Sequence, residues 1–325
     1  FGFAKVPPML QAWGKGLRTE LVISQVLGVD IDALDADFRA ATAQRLRKFD
    51  DDFYVDFSRY DDVPALEAAA RKAPADADAQ AGLALGLVGE ERWDEAERAA
   101  KRALALAPKH ALAHFALTRV ALEHGDAPRA KRCLEAIVQA GQDGYILRVL
   151  LARAALAGKD VAGAKLQAER AIALDPDQTE AWHVLLEIAG KQDDHALGRR
   201  ALTALADLDQ HDRIAHMGLL GALFADKAYP ELMRAGERAL FVDPENPQLH
   251  RLYAEGALGS GEPALALREL DRALALGHKR PAGVQLSRAR ALLALGRKPE
   301  AARAVAEAIA ADPKLADEGK ALLGP

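Results

Sequence analysis

The sequence predicts an all-α fold, a solenoid of about seven helix pairs set behind a small helical front end. Two observations predict it. The stretch Asp76–Pro108 reads as two amphipathic helices joined by a turn at Gly89-Glu90-Glu91 and stopped by a proline, and this pattern recurs every 34 residues. Half of the residues are hydrophobic, Ala and Leu dominate, and no window keeps the period-two alternation of a half-buried strand.

Residues 1–49 stand outside that period. Pro7-Pro8 suit the first turn of a helix over Val6–Gly14 that places Met9, Leu10 and Trp13 on one side. Thr19 is the expected N-cap of a helix over Glu20–Leu27, and Gly28 its left-handed terminator. Asp30 or Asp32 then caps a longer helix through Lys48, with Ile31, Leu34, Phe38 and Leu46 expected to point inward. Phe49–Tyr60 forms an aromatic-rich seam in which Phe53, Tyr54, Phe57 and Tyr60 are expected to pack the front end onto the first helix pair. Asp50, Asp51 and Asp52 lack the alternating ligand loop and glycine of a calcium site and read as a solvated, helix-ending run.

We therefore divide the chain into a helical subdomain and seam at 1–60, a half-repeat cap at 61–76, seven units at 77–315 and a closing cap at 316–325. The half-repeat is one helix over Val63–Lys72, and the closing cap is a short helix over Asp317–Leu323. The units run 77–110, 111–144, 145–178, 179–212, 213–246, 247–280 and 282–315, with a one-residue slip of phase near Arg280-Pro281. A small-residue row (Ala96, Ala130, Ala164, Gly198) and a second row (Ala103, Ile137, Ala171, Leu205, Ala239, Ala273) stay in register through the array.

Trp182 at the aromatic position of helix A, Gly125-Asp126 at the turn, and Asp-Pro at 175–176, 243–244 and 312–313 complete the pattern. On these features the array resembles the tetratricopeptide repeat family. The resemblance implies a right-handed superhelical solenoid whose helix A faces line a concave groove where a protein or peptide partner lies. Residues 1–49, through the Gly14–Thr19 turn, Leu27-Gly28-Val29-Asp30 and the Leu34/Phe38 pair, look like the C-terminal end of the catalytic domain in bacterial gluzincin-type (peptidase MA-like) metallopeptidases. That second resemblance implies a zinc-binding H-E-x-x-H helix upstream of Phe1 and carries no catalytic residue onto this chain, which contains no such motif.

The chemistry expected of the chain itself is recognition, not catalysis. The His110/His114 and His211/His216 pairs and His183/His195 read as capping, packing or surface residues before metal ligands, and Cys133 as a packing thiol in helix B of the second unit. No phosphate-cradling loop, dinucleotide fingerprint or nucleophile–base pattern appears, so no cofactor or active site is expected. A net charge of −5 without clustered cations argues against nucleic acid, and no apolar run is long enough to span a membrane. With no initiating Met and no signal-like segment, the chain reads as a piece of something longer; the second resemblance implies a soluble bacterial protein, of cytoplasm or periplasm, and the compartment stays open.

Repeat phase assigns the expected groove residues: Phe115, Arg119 and Leu122; Val149, Arg153 and Leu156; His183 and Glu187; Met217 and Phe224; and Arg251. No unit carries the Lys and Asn that the resembled family uses to clamp a C-terminal carboxylate, so recognition of that kind is not expected. An apolar stripe with arginines at one-turn offsets suits a peptide or helix partner. The alternative is that tight curvature buries the stripe against itself. A further reading makes these repeats the regulatory or substrate-presenting part of a zinc metallopeptidase whose catalytic domain lies upstream.

Overall fold

A computed structural model describes residues 1–324; Pro325, the last residue of the expected closing cap, lies outside the described residues. Nineteen α-helices make up the described chain, and one isolated bridge is its only strand-like pairing. The front end holds α1 (Val6–Gly14), α2 (Thr19–Val22, continued by a wider turn over Ile23–Leu27) and α3 (Ile31–Leu46). After the seam come α4 (Val63–Lys72) and the first pair, α5 (Ala77–Gly89) with α6 (Trp93–Leu106). The next pairs are α7 (Ala111–Glu123) with α8 (Ala127–Gln139), α9 (Tyr145–Ala157) with α10 (Val161–Leu174), and α11 (Glu180–Gln192) with α12 (His195–Leu208). Then follow α13 (Arg213–Ala225) with α14 (Tyr229–Val242), α15 (Pro247–Gly259) with α16 (Pro263–Ala275), and α17 (Pro281–Ala294) with α18 (Lys298–Ala311). Helix α19 (Ala316–Leu323) closes the array.

Local chemistry explains these boundaries. The Asp76, Asp126, Asp160, Asp194, Asp212 and Asn246 side chains accept from backbone N–H groups of the first turn of the helix each precedes. Each turn between the two helices of a pair needs one residue in the left-handed region. Glu91, Gly125, Lys159, Asp193, Lys227, Gly261 and Gly296 take it, and the last lies one residue late, at the slip seen in the sequence. Ala96, Ala130 and Ala164 are fully buried, as are Ala103, Ile137, Ala171, Ala239 and Ala273, because close helix approach leaves room for little more than a methyl group at most of these crossings. Helix α4 packs on α5 and α19 on α18, so both open flanks of the array are covered.

One polar position recurs where the repeat pattern expects an aromatic. His114 and His250 place Nε2 2.9 Å from the carbonyl oxygens of Pro108 and Pro244, and His216 stands 3.3 Å from that of Gln210. Arg148 at the same position grips the Asp143 carboxylate at 2.6–2.7 Å. Each side chain ties the start of one unit to the linker before it, a staple in place of aromatic packing. His250 Nδ1 also lies 2.7 Å from the buried Glu269. Cys133 is buried, and burial pushes its thiol up.

The front end departs from expectation. Its helix bounds hold nearly as read, with Arg18 rather than Thr19 as N-cap and Asp30 capping α3 through the Ala33 N–H at 2.7 Å. The inward set does not hold: Phe38 is 67% exposed, Ile31 and Leu46 are also exposed, and only Leu34 is half-buried. Leu10 on α1 is 61% exposed. Of residues 1–46 only Val22 and Ile23 are buried, because α3 packs on neither α1 nor α2 and no shared core forms.

Candidate peptide-binding groove

The helix A residues expected to line a groove fall into two sets, one under the seam and one at a cleft between the later units. Over the first set the seam lies across the first three units. The Phe53 and Phe57 rings stand 5.8 and 6.3 Å from the Phe115 ring on α7, so both reach the second pair, while the turn Phe57–Tyr60 lies against α5 of the first pair as expected. Tyr60 does meet the first pair, lying over Gly82 and Gly86 of α5, whereas Tyr54 is 76% exposed and packs on neither. Asp52 is not merely solvated: it pairs with Asp143 in the isolated bridge, and the Phe53 N–H donates to the Asp143 carbonyl at 2.7 Å. Burial, with Asp143 and Asp175 nearby, raises the Asp52 carboxyl above the usual range.

The expected groove residues sort accordingly. Phe115 is 8% exposed beneath the seam, and Val149 and Leu156 are buried. Arg119 and Arg153 are exposed and, among the described residues, have no carboxylate within ion-pair distance; Leu122 beside Arg119 is exposed too. His183 and Glu187 lie exposed on α11, with Glu187 3.5 Å from Lys191.

In the second set, Met217, Phe224 and Arg251 come together. The Arg251 guanidinium sits 5.3 Å from the Phe224 ring centroid. Arg251 Nε donates to Gln248 Oε1 at 3.3 Å, and its Nη1 lies 3.7 Å from the buried Glu255, which also accepts from the Ser287 hydroxyl. His278 Nε2 donates to the same Gln248 oxygen at 2.7 Å, while its Nδ1 accepts from the Arg280 N–H at 3.0 Å, so the ring is neutral. Burial and then the nearby Arg251 charge push its pKa down, in agreement. Met217, Gln248, Arg251, His278, Lys279 and Arg280 line a cleft of about 980 Å³, together with Asp243 and Glu245.

Reading by repeat phase missed Gln248, in the first turn of α15 ahead of the positions assigned to the groove, and His278, Lys279 and Arg280, which sit in the linker before α17 and hold no place in a helix A register. It also missed the contacts of the seam with Phe115 and Asp143. The one available signal was an acidic and aromatic segment, Asp50–Tyr60, lying outside the period.

Residues 87–147 and residues 253–316 each match the tetratricopeptide repeat family. No curated protein matches the chain. Among solved structures it is similar to the C-terminal part of a tetratricopeptide repeat-containing protein from Cytophaga hutchinsonii, at 14% identity and TM-score 0.48 over 73% of this chain and 97% of that one. A tetratricopeptide repeat protein from Parabacteroides merdae is similar at 15% identity and TM-score 0.42, over 81% and 100%. A chain of the APC/C hetero-tetramer Cut9–Hcn1 is similar at 15% identity and TM-score 0.39; the match covers 72% of this chain and spans 47% of that one. Likeness at these identities concerns the fold alone. Neither family match reaches residues 1–49, so the metallopeptidase resemblance rests on the sequence pattern.

Proposed function

We propose that this chain, in which residues 87–147 and 253–316 are tetratricopeptide repeats, is a protein-interaction scaffold that holds an extended peptide or helix against helix A of its fourth to seventh units. The observation that carries the reading is the open cleft at Met217 and Arg251. A ligand carboxylate meets Arg251, Lys279 and Arg280 there, while an apolar side chain meets Met217. No reaction is assigned to this surface; its groups bind and orient. Affinity purification with wild type, with Arg251→Glu/Lys279→Glu, and with the exposed control Arg234→Glu on α14 tests it. The cleft variant should lose partners that the other two keep. Equal recovery from all three removes the cleft from consideration.

A second reading, in which the array presents substrates to a metallopeptidase domain or restrains it, is favoured by the apolar surface left bare on α1 and α3. Zinc content of the purified full-length product tests that reading, and a zinc-free parent ends it.

A further inference from the structure

The seam crosses the helix A surface in the direction opposite to the repeat order. At its start Lys48 Nζ lies 3.3 Å from Asp175, at the linker between the third and fourth units. Asp52 and Phe53 then pair with Asp143 at the linker before the third unit, and Phe53 and Phe57 close on Phe115 of the second. Tyr60 ends it on Gly82 and Gly86 of the first, with Val55 buried between. The groove is shaped to this backbone. A Cβ on Gly144, whose φ is +152°, would stand 3.1 Å from the Phe53 nitrogen and 3.2 Å from the Asp52 carboxylate carbon. A main-chain hydrogen bond, an aromatic seat and a glycine where the backbones approach are the means by which proteins hold extended peptides.

We propose that residues 48–60 are a built-in ligand. The first three units form a recognition site for an extended segment of the form Asp-Phe-x-x-x-Phe, and a partner protein carrying such a segment binds by displacing the strap. The strap is held by one backbone hydrogen bond, one half-exposed ion pair, the buried Val55 and aromatic contacts, and α1–α3 add no shared core with the repeats to hold it down. A tethered segment acts at an effective concentration in the millimolar range, so it shields the site until a competitor of the same chemistry arrives. This inference concerns a different surface from the open cleft and stands or falls without it.

A fluorescein-labelled synthetic peptide of residues 49–60 serves as the probe, titrated by anisotropy against the full chain. Wild type should bind it weakly. Phe53→Ala/Phe57→Ala, which loosens the strap, should bind at least about tenfold tighter, since the unoccupied fraction of the site scales the apparent affinity. Adding Phe115→Ala should abolish that gain, and Arg251→Glu should leave it intact. Hydrogen exchange on wild type gives a reading that needs no variant: excess isotope-labelled peptide, distinct by mass, should lower the protection of residues 52–57. Equal binding by wild type and a natively helical Phe53→Ala/Phe57→Ala chain overturns the proposal, as does unchanged protection in wild type. A stable dimer formed by exchange of straps between two copies also overturns it, by making the second copy the occupant.

Discussion

Two glycine-to-alanine changes should act with opposite sign although the chemical edit is identical. Gly198 lies in α12 at the small-residue position filled by Ala96, Ala130 and Ala164 in the preceding units. A Cβ built there meets only the Ala189 methyl, at 3.6 Å, an ordinary contact. Alanine is favoured over glycine inside a helix by about 1 kcal/mol, and the new methyl removes some apolar surface from water, so Gly198→Ala should stabilise its pair by about 1 kcal/mol. Gly256 in α15 has no such room: its Cβ would stand 2.8 Å from the Met233 backbone nitrogen and 3.1 Å from Leu232 Cγ. A backbone atom in a packed helix cannot step aside as a side-chain tip can. Overpacking of about 1–3 kcal/mol should outweigh the propensity gain, leaving Gly256→Ala destabilised by about 1 kcal/mol or more. Urea unfolding followed by circular dichroism reports the sign. Hydrogen exchange reports the place, because a repeat array responds first where it is perturbed: α11–α12 for the first variant, α14–α15 for the second. A lowered midpoint for Gly198→Ala, or the same direction of shift in both, would refute the packing register assigned to these two crossings.

Ala164→Leu overpacks the crossing in the third unit and should open a gap of lost protection in the middle of the array, whereas Ala301→Leu should fray only α17–α19; both positions are fully buried, and matching exchange patterns would count against nearest-neighbour coupling. Glu97 gives a pH-dependent test. Arg129, 2.6 Å away on the next unit, and then Lys101 hold its pKa at about 2 against an ordinary 4.5. A carboxylate whose folded-state pKa is depressed contributes stability that is complete above its unfolded value and lost as pH falls through the folded one. Denaturation midpoints across a pH series should therefore fall less steeply between 4.5 and 2 in Glu97→Gln than in wild type, and parallel curves would show that the tie between units contributes nothing.

The sequence by itself determined the helices and their pairing. Amphipathic spacing acts over one helical turn, capping by Asp and Asn over three residues, and stacking of a unit on its neighbour over one repeat. All of these are near in the chain, so the bounds of α1, α4 and the seven pairs, the slip at Pro281 and the buried alanine rows could be read directly. What the tertiary structure alone decided lies farther apart. Lys48 and Asp175 meet across 127 residues, and no local periodicity reports where a segment outside the repeats will lie. Position four of helix A shows the same limit at closer range. Repeat phase marked it for aromatic packing, but His114, His216 and His250 face linker carbonyls and hydrogen-bond them instead, contacts that depend on the path of the preceding linker and not on the helix period. The same holds for the groove. Phase selected Phe115 and Arg251 as equivalent positions on helix A, and they are. One is covered and the other open because the chain passes over the first and not over the second, which is a property of the path and not of either residue.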